Sequence, residues 1–89
     1  MTYRVIWLPE VLEELSRIWL KADVVLRAKI MAACQEIEQR LEFDPYSEGE
    51  SRFGSERFTL VSPLTLTFHV DSAAEEVIIA KVRLYQKRK

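Results

Sequence analysis

The sequence of 89 residues has little of what several specialised protein classes require. A single cysteine, Cys34, cannot form an intramolecular disulfide, and two glycines with three prolines are too few for a collagen-like or low-complexity chain. Only four consecutive apolar residues precede Pro9, too few for a signal peptide or a membrane span. We therefore expect one globular domain over residues 1–89, in the reducing cytoplasm and without a membrane partner.

The chain also lacks an overall charge of either sign, with a formal net charge of -1. This value excludes a basic field over the whole molecule of the kind that holds nucleic acid. The charges are nevertheless unevenly divided. Residues 1–50 carry 6 Lys and Arg against 10 Asp and Glu (net -4), whereas residues 51–89 carry 7 against 4 (net +3). Contact with an anion is therefore expected to be local and to involve the second half.

What the sequence does contain is a strong helical pattern in its first half. A short buried strand over 3–8 is followed by Pro9, which suits the first position of a helix, and we predict a helix over 9–20. Asp23 is a suitable cap for a second helix, which ends near Glu42 because a proline follows shortly afterwards. The predicted buried face of this second helix consists of Leu26, Ile30, Ala33, Ile37 and Leu41.

The second half predicts a sheet. Residues 44–56 contain both glycines and are predicted to form a loop, and strand patterns follow over 57–61, 64–70 and 76–85. Their short connections indicate an antiparallel meander. Two amphipathic helices are available to cover one face of these strands, so the sequence predicts an α+β domain.

Alternation within the strands predicts an apolar face under the helices and an open polar face. It assigns Phe58, Leu60, Ile78 and Ala80 to the apolar face, and Ile79 to the open one. Such an open face is suited to phosphates, through charge-assisted hydrogen bonds, and to the stacking of a base. The polar residues predicted to share it are Arg57, Thr59, Thr65, Thr67, His69, Lys81, Arg83 and Tyr85.

The order of elements and several motifs resemble the RelE/ParE superfamily of toxins from bacterial toxin-antitoxin pairs. The resemblance covers nearly the whole chain and rests mostly on packing positions. The motifs are Tyr3-Arg4-Val5-Ile6-Trp7, Ile37-x-x-x-Leu41 followed by Asp44-Pro45 and Gly49, Leu66-x-Phe68-x-Val70-Asp71, and Val77-Ile78-Ile79-x-x-Val82.

The resemblance implies two antiparallel helices packed on one face of a four-stranded, mainly antiparallel sheet, in which the first strand pairs with a later one. It also implies a toxin that a cognate antitoxin protein holds inactive. RelE-like members cut messenger RNA in the ribosomal A site, without a metal or other cofactor, by attack of a 2′-hydroxyl on the adjacent phosphate. ParE-like members instead poison DNA gyrase. Thr65 and Thr67 stand where RelE-like nucleases typically place an Arg on the middle strand. A gyrase inhibitor without chemistry of its own, or a degenerate member that binds only its antitoxin, therefore remains an alternative to the ribonuclease.

A metal-free ribonuclease needs groups that transfer protons and cations that stabilise the phosphorane. Each candidate also has a plain structural explanation: a lone His on a sheet is often only a surface residue, and a strand Arg often only pairs with a carboxylate. The resemblance implies roles for Arg57, Arg83 and Tyr85. The full set of predicted catalytic residues is Arg57, Arg83, Tyr85 and His69, and the predicted RNA-binding residues are Arg52, Lys81 and Lys87.

Overall fold

The computed structural model describes residues 2–48, 50–51 and 56–85. The predicted elements are present, with a 3₁₀ turn over Pro45–Ser47 and a two-residue strand inside the segment predicted to be a loop. None of the described helices is long and apolar enough to cross a membrane. In chain order the elements are β1 (Arg4–Trp7), α1 (Pro9–Lys21), α2 (Val24–Phe43), β2 (Glu50–Ser51), β3 (Glu56–Val61), β4 (Leu64–Asp71) and β5 (Glu76–Leu84).

The two helices begin where the sequence predicts. Pro9 occupies the first turn of α1, and Oδ1 of Asp23 accepts a hydrogen bond of 2.8 Å from the backbone N–H of Leu26 at the start of α2. A linker of two residues turns the chain between the helices. Across it, Nε of Arg27 donates to the carbonyl of Trp19 at 2.9 Å, and its guanidinium lies over the Trp19 ring. These contacts fix the two helices as a hairpin.

The sheet has the strand order β1-β5-β4-β3-β2. β3, β4 and β5 form the predicted antiparallel meander, and β1 pairs with β5 in parallel, so that the first strand lies beside the last. The predicted architecture of two helices on a mainly antiparallel sheet is confirmed, with β2 added at the edge of β3. The predicted face of α2 is largely buried: Ile30, Ala33, Ile37 and Leu41 belong to the core.

The predicted facing of β3 is wrong. Its register places Arg57, Thr59 and Val61 opposite Phe68, Leu66 and Leu64, which are fully buried beneath the helices. Directly opposed residues share a face, so these three β3 residues lie on the helix side. Thr59 and Val61 are indeed buried, whereas Leu60 is 47% exposed on the other face. The apolar character of Phe58 and Leu60 misled the assignment, because an open face also carries apolar side chains.

The predicted facing of β5 fails at one point because the strand contains a β-bulge. Thr67 pairs with Lys81 but the next residue, Phe68, pairs with Ile79, so Ala80 is the extra residue. The bulge reverses the alternation: Val77 and Ile79 before it and Val82 after it all face the core. Ile79 is therefore a core residue, contrary to prediction, while Ile78 lies opposite His69 on the open face.

Cys34 is a partly buried residue packed against the core on α2. Burial, with a smaller contribution from the negative charge of Glu38, raises the pKa of the Cys34 thiol above its ordinary value. We expect alkylation by iodoacetamide near neutral pH to be slower than in urea, because the thiolate is the reactive form. The folded state retains the proton more tightly than the unfolded one. The thiol's contribution to stability is therefore complete below its unfolded pKa and is lost as the pH rises through the folded value.

Denaturant titrations at increasing alkaline pH measure this contribution. Relative to the Cys34→Ala variant, the parent chain is expected to lose more of its free energy of unfolding above the ordinary thiol pKa. Parallel pH profiles for the two proteins would contradict the expectation.

Candidate nucleic-acid interface

The open face of the sheet is built from cross-strand rows, each of which takes one residue from β3, β4 and β5. Near one end, Leu60, Thr65 and Arg83 form a row, since Leu60 pairs with Thr65 and Thr65 with Arg83. The next row repeats this order of side-chain types, with an apolar residue, a threonine and a cation. It consists of Phe58, Thr67 and Lys81.

Lys81 and Arg83 form the basic part of this face. Both side chains are exposed, as predicted, and neither forms an ion pair within the described ranges 2–48, 50–51 and 56–85. They are two residues apart on one strand face, which separates their Cα atoms by about 7 Å. Two long cationic side chains at that spacing can reach a common phosphate or two neighbouring ones.

A groove at the edge of β5 borders these cations. It encloses about 230 Å³ between the first turns of α1 and the strand, and its lining includes Glu10 and Glu14 as well as Lys81 and Arg83. The two carboxylates repel an anion that approaches from the α1 side. Approach over the threonine rows of the open face avoids them.

His69 lies in the third row, opposite Glu56 on β3. Its Nε2 is 3.8 Å from Oε2 of Glu56, and the two side chains are 39% and 31% exposed. A carboxylate beside an imidazole favours one orientation of the ring. Sequence reasoning missed Glu56, because its closeness to His69 follows only from the strand register.

Arg57 does not lie on the open face, and its predicted place there is wrong. Its Nε donates to the carbonyl of Glu48 at 3.1 Å, and its Nη2 donates to the carbonyl of Tyr46 at 2.9 Å. Both carbonyls belong to the segment that follows α2, where Glu48 also lies 3.6 Å from Nη1 of Arg40. Arg57 thus ties the 3₁₀ turn to β3. The structure gives it a tethering contact and does not test the predicted catalytic role.

The remaining predicted residues are not all brought together. The backbone N–H of Tyr85 donates to the carbonyl of Pro63 at 2.7 Å, which places this half-exposed residue beside the start of β4. His69 lies six residues after Pro63, which is about 20 Å at the rise of an extended strand. His69 and Tyr85 therefore cannot contact one phosphate at the same time. Arg52 and Lys87, the other predicted RNA-binding residues, lie outside the described residues.

Within the described part of the chain, no three His, Cys, Asp or Glu side chains form a group suited to holding a metal ion.

Comparison of the whole fold with solved structures identifies the architecture. The structure of the toxin-antitoxin complex RelBE2 from Mycobacterium tuberculosis contains a chain that aligns with a TM-score of 0.71 and 18% identity, over 94% of this chain and 99% of that one. The fold is that of the RelE toxins.

Two further structures agree. An archaeal RelE–RelB complex from Pyrococcus horikoshii aligns with a TM-score of 0.63 and 16% identity, over 99% of this chain and 100% of that one. The isolated RelE toxin of E. coli aligns with a TM-score of 0.60 and 13% identity, over 98% of this chain and 88% of that one. No protein-family model matches the sequence, and no curated protein matches it significantly. At identities this low, the likeness to the RelE structures shows the fold alone.

Proposed function

We propose that this chain is the toxin of a toxin-antitoxin pair, acts in the cytoplasm, and cuts messenger RNA on the ribosome through the open face of its sheet. The observation that carries the proposal is the alignment of Lys81 and Arg83 beside Thr67 and Thr65 on an exposed surface. The RelE-like fold supports it, and two of the similar structures are complexes with an antitoxin. A RelB-like antitoxin is accordingly the proposed protein partner.

In this proposal the RNA strand runs along β5 and its phosphates contact Lys81 and Arg83. The two cations stabilise the charge that develops on the phosphorane when a 2′-hydroxyl attacks the adjacent phosphate. Thr65 and Thr67 offer hydroxyl groups to the sugar and phosphate oxygens beside the cations. Tyr85, an exposed aromatic residue two positions after Arg83, is assigned the stacking of a neighbouring base in this proposal.

Proton transfer is assigned to His69 and Lys81. His69 lies in the row beside that of Lys81, and its imidazole accepts the proton of the attacking 2′-hydroxyl. The new bond joins the 2′-oxygen to phosphorus, and the bond from phosphorus to the 5′-oxygen breaks. The ammonium of Lys81 donates a proton to that leaving oxygen. The products are a 2′,3′-cyclic phosphate and a free 5′-hydroxyl.

Induced expression of the full chain in bacteria, without a partner, tests the proposal. Growth, messenger RNA ends and plasmid supercoiling are followed together, with one reporter message that is translated and one whose start codon is removed. We expect growth arrest and new RNA ends only in the translated message. Arrest with altered supercoiling and intact messages would indicate gyrase as the target. Normal growth of cells that contain folded protein would indicate that antitoxin binding is the sole remaining function.

A further inference from the structure

A narrow groove crosses the edge of the sheet where β1 ends and β5 continues. β1 pairs only with Glu76–Ile79, so among the described residues the rest of β5 has no strand on that side. α1 lies beside it, and the helix and the strand enclose about 230 Å³. We call this space the α1–β5 groove. One wall consists of Glu10, Val11 and Glu14, and the other consists of residues 80–83.

The two walls of the α1–β5 groove carry charges of opposite sign. The cations Lys81 and Arg83 line the strand wall, and two carboxylates line the helix wall. Within the described ranges, no ion pair joins one wall to the other. Oε1 of Glu14 accepts from Nη2 and Nε of Arg17 at 3.0 and 3.2 Å. Glu10 is therefore the carboxylate of this groove that can accept hydrogen bonds from a ligand.

Between its charged walls the groove is small and apolar. Val11 and Val82, which are both buried, lie beneath it, and Ala80, the extra residue of the β-bulge, lies beside them. The short side chain of Ala80 leaves room that a larger one would fill. The volume is below the about 300 Å³ at which pockets for drug-sized molecules begin. The groove is thus suited to one flat ring, with the remainder of a ligand outside it.

A guanine nucleotide carries the three groups that match these features. Its phosphate suits the cations, and its planar ring suits the apolar floor. The Watson–Crick edge of guanine presents two neighbouring donors, N1–H and the 2-amino group, which a carboxylate can accept with its two oxygens. Adenine and cytosine each present one donor beside an acceptor, and uracil presents one N–H between two carbonyl oxygens. A carboxylate repels the acceptors of these three bases.

We propose that the α1–β5 groove is a subsite for a guanine nucleotide, with the phosphate on Lys81 and Arg83 and the edge of the base on Glu10. The guanosine of an RNA chain and a free guanine nucleotide share this chemistry. In its RNA form the proposal rests on the proposed function, because the same two cations hold the phosphates there. It adds a base that the chain selects beside the cut.

Titration of the full chain with mononucleotides, followed by NMR chemical shifts, measures the subsite without any cleavage. Guanosine 5′-phosphate (GMP) is expected to bind at least about tenfold more tightly than adenosine 5′-phosphate (AMP). Inosine 5′-phosphate, which lacks the 2-amino group, should fall between them. Ribose 5-phosphate reports the phosphate contact alone and is expected to bind at least about tenfold more weakly than GMP.

Variants of the full chain locate the base contact. Glu10→Gln replaces the carboxylate by an amide, which donates as well as accepts and therefore matches adenine. It is expected to lower the ratio of GMP affinity to AMP affinity at least about tenfold. Glu13→Gln is the matched control, since Glu13 is an exposed α1 residue outside the groove, and its ratio should stay within about twofold of the parent ratio. Circular dichroism verifies the folding of both variants.

The translated reporter message distinguishes the two sources of guanine. If the groove holds RNA, the parent chain should cut beside guanosine at least about fivefold more often than beside adenosine, and Glu10→Gln should lose this preference. GMP selectivity without a guanosine preference in cleavage would assign the groove to a free nucleotide. GMP selectivity without any cleavage would contradict the proposed ribonuclease and leave the subsite standing.

Three results would overturn the subsite itself. Equal affinities for GMP and AMP would remove the recognition of the base. Equal effects of the Glu10 and Glu13 changes would place the base contact elsewhere. Free arginine also joins paired N–H donors to an anionic group, and tighter binding of arginine than of GMP would assign the groove to a guanidinium.

Discussion

Replacement of Arg83 by alanine is expected to lower the rate of ribosome-dependent RNA cleavage by about two to three orders of magnitude, the usual effect of losing one group that stabilises transition-state charge. The side chain is exposed and makes no ion pair among the described residues, so the melting temperature should hardly change. Primer extension on a defined message, translated in a purified system, measures the cleavage rate.

Arg17→Ala is the matched control, because Arg17 is an exposed cation on α1 whose contact with Glu14 is a surface ion pair. It should cut at the parent rate. Equal activity of the two variants would remove Arg83 from the mechanism. Equal loss in both would attribute the effect to overall charge.

Replacement of Arg57 by alanine is expected to have the opposite profile. It removes two hydrogen bonds from a charged donor to the carbonyls of Tyr46 and Glu48, which should lower the free energy of unfolding by about 2–3 kcal/mol. Lysine should not restore the loss, because one ammonium group cannot reproduce the two-pronged contact of a guanidinium. Urea titration of both variants measures the change.

The control for Arg57 is Arg4→Ala. Arg4 is 73% exposed and pairs with Glu76 at the sheet edge, so its removal should cost well under about 1 kcal/mol. Cleavage per folded molecule decides between the two roles of Arg57. If Arg57 only tethers the 3₁₀ turn, the folded fraction of the Arg57→Ala variant should keep much of its cleavage activity. Lost cleavage at unchanged stability would instead support the catalytic role that the sequence predicted.

The fold was largely predictable because its main signals are local. The helical period over α2, the capping Asp23 and the short turns around β4 each depend on neighbours in the sequence. These signals were enough for the helices and the meander, whereas the pairing of the first strand with a later one was implied by the resemblance to the RelE/ParE superfamily. They could not show β2, whose two residues pair with β3 without any apolar alternation of their own.

The site was less predictable, because faces and distances depend on strand register. A bulge at Ala80 reverses the alternation within β5, and nothing in the local sequence marks it. The neighbours of His69 and the distance from His69 to Tyr85 follow from the alignment of different strands. The apolar side chain of Phe58 predicts the wrong face for Arg57 beside it, because Phe58 lies on the open face in the observed register.

The pairing of β1 with β5 also bears on how the protein forms during its own synthesis. β1 leaves the ribosome well before its hydrogen-bonded neighbour, which is complete only when Glu76–Ile79 have followed. Contacts between such distant parts of the sequence form late and slow the folding of small domains. Lys81 and Arg83 come later still, within the last strand. A nascent chain therefore lacks both the pairing of β1 and the basic surface until β5 has been synthesised, and any activity of that surface must wait for this strand.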